Sequence, residues 1–89
     1  MNNDIHHSNV TTEGIVVTPL RMEDSCNGLF AYFKATFDGI EECDCLAFGE
    51  LGVEMNRTFQ QSDKIIVKGA LYCDGNNRRS LYIFDIEKN

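Results

Sequence analysis

The segment that most constrains this chain lies between two turn signals, Asn27-Gly28 and Asp38-Gly39. Side chains alternate across a strand, so Leu29, Ala31, Phe33, Ala35 and Phe37 share one face. Phe30, Tyr32, Lys34 and Thr36 share the other. The first set is aliphatic, aromatic and small, as a barrel core requires. The second places two rings and a lysine where an amphipathic strand would show polar groups to water. Such a strand needs a core on one side and a partner of some kind on the other.

The rest of the chain reads as further strands and one helix. A β-branched run, Ile15-Val16-Val17-Thr18, predicts a first strand over Gly14–Leu20. The polar stretch Arg21–Gly28 reads as a loop and hairpin turn. Glu41–Phe48 is the third strand, ending at Gly49, and Glu50–Phe59 is a short helix with Leu51, Met55 and Phe59 at four-residue spacing. Lys64–Cys73 and Arg79–Ile86 form a closing hairpin around Asp74-Gly75-Asn76-Asn77. Residues 1–12 are polar and without periodicity, which predicts a flexible N-terminal tail containing His6 and His7, with the folded domain at 13–89. Three strands, a helix and two more strands is the element order of an all-β OB-fold: a five-stranded, partly open barrel with one short helix between strands 3 and 4.

With 89 residues the chain has room for one core, burying roughly 60–65% of its unfolded surface, and oligomerisation would support it. Fourteen acidic against eight basic side chains give a net charge of −6, which discourages phosphate binding. The sign is uneven: residues 35–63 carry seven acids against Arg57 alone, whereas 64–84 carry Lys64, Lys68, Arg78 and Arg79 against Asp74. No stretch is apolar enough to span a membrane, and the N-terminus lacks a signal-peptide pattern. The expected location is the cytoplasm, where the four cysteines stay reduced.

Three strings carry a family resemblance. Glu42-Cys-Asp-Cys-Leu-Ala-Phe-Gly-Glu-Leu-Gly is similar to the third strand and helix start of bacterial single-stranded-DNA-binding proteins. Gln61-Ser-Asp-Lys-Ile-Ile-Val-Lys-Gly-Ala-Leu resembles their fourth strand, and Asn27-Gly-Leu-Phe-Ala-Tyr-Phe-Lys-Ala-Thr their turn and second strand. The match covers most of residues 14–87. The sequence stops just after the last strand, without the family's acidic tail, and its Asp74–Arg78 hairpin is short. In both respects it looks more like the small OB-type primosomal replication proteins. The resemblance implies single-stranded DNA as partner, a homodimer or homotetramer, and work beside replication or repair proteins; the residues do not separate DNA from RNA.

The residues offer a matching site. Phe30, Tyr32 and Lys34 combine rings for base stacking with a cation for the backbone, although two such rings equally suit a subunit interface. Phe48 stands where the resemblance puts a stacking ring, but its face-mates Glu42 and Asp44 would repel phosphates. On the fourth strand Lys68 and Tyr72 share the outer face, and with Arg78 and Arg79 make the best cationic-aromatic cluster. Arg78-Arg79 also reads as a solvated turn. The single Cys43-x-Cys45 pair, with Cys26 and Cys73 elsewhere, predicts buried thiols and no zinc site. No catalytic constellation or cofactor motif is present in the sequence, so an enzyme is not expected. The rival class is an OB-type protein-interaction module, motivated by the −6 charge and the acidic third strand.

Overall fold

Backbone pairing closes the chain on itself. The computed structural model describes residues 6–38, 40–73, 75–76 and 78–89. Six strands, β1 (His6–Val16), β2 (Arg21–Ser25), β3 (Gly28–Phe37), β4 (Ile40–Phe48), β5 (Lys64–Cys73) and β6 (Arg79–Lys88), accompany one helix, α1 (Gly49–Thr58). The sheet order is β1-β5-β6-β4-β3-β2, and β1 also pairs with β3. That last pairing makes a closed ring of five strands, with β2 added outside on β3. Strands β4 and β6 run parallel, and the other pairs are antiparallel. The expected all-β OB barrel is what forms.

Two details correct the sequence reading. Arg21–Ser25, expected as loop, is a strand hydrogen-bonded to β3, so the helix follows the fourth strand and not the third. A polar edge strand held by backbone bonds carries no apolar period to betray it. Its turn at Cys26-Asn27 is closed by Ser25, whose Oγ accepts from Asn27 N at 3.1 Å and donates to Gly28 O at 2.9 Å. Gly28, at φ +107°, supplies the left-handed residue that this turn requires. Residues 6–12, expected as tail, belong to β1 and pair with β5 in unbroken register from His6↔Cys73 to Ile15↔Lys64. The tail's first five residues, and Gly39, Asp74 and Asn77 of the expected turns, lie outside the described residues.

The core fills the ring. Ala31, Phe33, Ala35 and Phe37 from β3 point inward as alternation requires, meeting Cys43, Cys45 and Ala47 of β4, Ile65 and Val67 of β5, and Leu81 and Ile83 of β6. Leu29, expected among them, is instead 49% exposed, because it stands at the hairpin end beyond the ring. Helix α1 buries Met55, with Leu51 and Phe59 packed against the core; Phe59 is already extended and ends the helix. The expected thiol burial holds for Cys43 and Cys45, while Cys26 is exposed and Cys73 half-buried. Burial pushes the Cys45 thiol well above its usual range, so it stays neutral inside the barrel.

Gly52 shows how closely the helix approaches. A Cβ there would stand 2.3 Å from the Ala47 carbonyl oxygen and 3.0 Å from the Ala31 amide nitrogen. Alanine gains about 1 kcal/mol over glycine in helix propensity, but overpacking against backbone costs about 1–3 kcal/mol or more. Gly52→Ala is therefore expected to lower the urea midpoint; an unchanged or raised midpoint would show that the helix can lift at no cost.

Candidate functional site

The outer face of the barrel carries the rings that the inner face excludes. Cross-strand register sets them side by side: Phe30 faces Phe48, Tyr32 faces Leu46, Leu46 faces Tyr82, and Ala70 faces Tyr82 from the other side. One row thus runs Arg21–Tyr32–Leu46–Tyr82–Ala70–Asn9 across six strands. Across this face the rings touch in sequence. Phe30 and Phe48 have centroids 5.0 Å apart, Phe48 and Tyr82 lie near-parallel at 6.2 Å, and Tyr82 meets Tyr72 edge-on at 5.1 Å. Small Ala70 beneath this corner leaves room for the two tyrosines.

Of the residues expected from sequence, Phe30, Phe48 and Tyr72 are brought together in this chain of rings. Tyr32 and Lys34 continue the face on β3. Lys68 is exposed on β5, opposite Asp85 of β6. Arg78 is exposed just before β6. Arg79 opens β6 with the parity of inward-facing Leu81 and Ile83, so alternation sets it on the opposite side from Tyr82. Of the expected cluster, Tyr72 joins the chain of rings and Lys68 shares its side of β5, whereas Arg79 falls on the other side of β6.

Three residues join that sequence reading missed. Tyr82, 39% exposed, is the centre of the chain of rings. Phe84 follows it on the same side at 62% exposure, where a β-bulge between Lys68/Gly69 and β6 turns two successive residues outward. Alternation along Arg79–Ile86 would have shown both. Arg21, hidden in the presumed loop, places its guanidinium 5.1 Å from the Tyr32 ring centroid. Beside it a cleft of about 530 Å³ opens between Thr18, Pro19, Leu20, Arg21, Tyr32 and Lys34.

Acids accompany the cations on this face. Arg21 Nε pairs with Glu23 Oε2 at 2.6 Å and Lys34 Nζ with Glu42 Oε1 at 3.9 Å. The Tyr32 hydroxyl donates to Asp44 Oδ1 at 2.8 Å. Burial, that hydrogen bond and the carboxylate's charge push the Tyr32 phenol above its usual range, so it remains a donor. Glu42 takes a left-handed conformation, φ +51°, where the β3–β4 register shifts. The face is thus apolar and aromatic at its centre, with its cations largely balanced at the β2–β3 margin.

No protein-family model matches this sequence, and no curated protein matches it by sequence. Solved structures match by shape. A small single-stranded DNA-binding protein from Streptomyces coelicolor superposes with a TM-score of 0.82 at 18% identity, covering 100% of this chain and 95% of that one. The second single-stranded DNA-binding protein of Mycobacterium smegmatis gives 0.79 at 12% identity, covering 94% and 90%. A mitochondrial single-stranded DNA-binding protein from S. cerevisiae gives 0.73 at 14%, covering 100% and 97%. At such identities the likeness establishes the fold over essentially the whole chain.

Proposed function

We propose that this barrel binds single-stranded nucleic acid, DNA in the first instance, by stacking bases on its outer face. The observation that carries the reading is the unbroken chain of rings Phe30–Phe48–Tyr82–Tyr72. Flat, partly exposed rings in contact accept any base, each stack contributing about 1–3 kcal/mol. The structural neighbours, named as single-stranded DNA-binding proteins on the same fold, support the same reading. Lys34 and Lys68 flank the rings and would meet the backbone, with Arg78 at the margin. The chain acts as a binder and not an enzyme, in the cytoplasm, as a homodimer or homotetramer beside replication or repair proteins. Among the described residues no helix is long and apolar enough to cross a membrane.

The paired cations make the salt dependence distinctive. Arg21 and Lys34 already hold Glu23 and Glu42, so a phosphate must compete for them. Single strands lose affinity with a log–log slope near −0.7 per neutralised phosphate. The expected slope is shallow, about −1.4 to −2.1, corresponding to two or three phosphates. Fluorescence anisotropy of a labelled mixed-sequence oligonucleotide, titrated at rising salt, measures it. Flat anisotropy in low salt at about 10⁻⁴ M protein, the weak end of non-specific binding, removes the nucleic-acid reading in favour of a protein-interaction module.

A further inference from the structure

The carboxylate in the middle of an aromatic face is costly for a phosphate binder and useful to a reader of base edges. We infer that Asp44 selects the base: the outer face takes single strands whose bases carry an exocyclic amino group, cytosine above all, over thymine or uracil. This rests on the single-strand reading above.

Placement supports it first. Asp44 is half-buried on β4, opposite Lys34 of β3 and Ser80 of β6, in the row next to Tyr32–Leu46–Tyr82. Diagonal neighbours in a sheet lie about 7–8 Å apart, within reach of a base stacked on Tyr82. Orientation supports it next. The Tyr32 hydroxyl fixes Oδ1 at 2.8 Å, and among the described residues Oδ2 has no hydrogen-bond partner. The ammonium directly across, Lys34, turns to Glu42 at 3.9 Å. Asp44 therefore presents a fixed acceptor to the ligand face.

An ionised carboxylate only accepts hydrogen bonds. Cytosine offers its N4 amino group, the partner that Asp and Glu side chains take in base readout. Thymine and uracil offer O4 at the same place, an acceptor facing an acceptor. The same repulsion turns phosphates outward at this point and bases inward, so the acid also sets the polarity of the strand's cross-section.

Anisotropy titrations of labelled oligo(dC) and oligo(dT), equal in length and in the same low salt, test the inference. A hydrogen bond to a charged group is worth about a tenfold preference, and oligo(dC) is expected to bind that much more tightly. Replacing cytosine by 2-pyrimidinone, which keeps the ring and loses the amino group, is expected to abolish the advantage on the unaltered protein. Asp44→Asn, whose amide can both accept and donate, is expected to bring the two affinities together. Equal affinities in the unaltered protein, or a tighter oligo(dT), overturn the inference, as does an Asp44→Asn variant that raises both equally. Binding of neither oligonucleotide sinks the single-strand reading and this inference with it.

Discussion

Replacing Phe48 and Tyr82 together by alanine is expected to weaken single-strand binding about a hundredfold. The two rings lie near-parallel at 6.2 Å and occupy the middle of the outer face, where a strand crossing in any direction must meet them. Each stack contributes about 1–3 kcal/mol, and because the rings already touch, one base cannot use both fully. A loss of about 3 kcal/mol, toward the lower end of their sum, gives the hundredfold figure. Both side chains stand outside the buried cluster, so far-UV circular dichroism and the urea midpoint should change little. A folded double variant that keeps its affinity would show that the strand runs elsewhere. A folded variant that changes its assembly size instead would place the rings in a subunit interface.

The largest effect on stability is expected at Phe33. Its ring is fully buried at the centre of β3, among the barrel's largest enclosed side chains. Phe33→Ala removes the ring and leaves a cavity, costing about 3–5 kcal/mol. Domains of this size hold only about 5–10 kcal/mol against unfolding, so the variant should lose about half its stability. Urea titration at a matched slope reads the change directly. A loss under about 1 kcal/mol would mean that the barrel collapses around the gap or that its core lies elsewhere.

How far the sequence spoke for itself depended on which groups carried the signal. Strands β3, β4 and β5 were legible to within a residue or two because one buried face imposes a period of two on their side chains. The helix was legible through Leu51 and Met55, whose spacing matches one face of a turn. β2 and the first half of β1 were not. Arg21, Glu23, Asp24, Ser8, Asn9 and Thr11 pair through backbone groups, and those groups are the same for every residue type. The site divided along the same line. Phe30 was visible from alternation and Phe48 from the resemblance, whereas Tyr82 becomes central only through the parallel pairing of β4 with β6. Nothing local in Arg79–Ile86 announces that pairing. In the sequence alone the acids of β4 count against a phosphate binder; in the structure the Tyr32–Asp44 hydrogen bond gives one of them a fixed orientation.

β1 precedes every other strand in the fold, and its longest pairing waits for β5. Its partner β5 ends at Cys73, so most of the chain must be synthesised before the ring can shut. Pairings so distant in sequence raise contact order and put barrel folding in the millisecond-to-second range. During that wait β1 is an open edge, the element most able to recruit a strand from another chain. The exposed residues Ser8, Asn9, Thr11 and Glu13 keep most of the waiting edge wet, with Ile15 the apolar exception near its end. The polarity that makes β1 resemble a tail in the sequence is thus a protection for the nascent protein, spent once the barrel has closed.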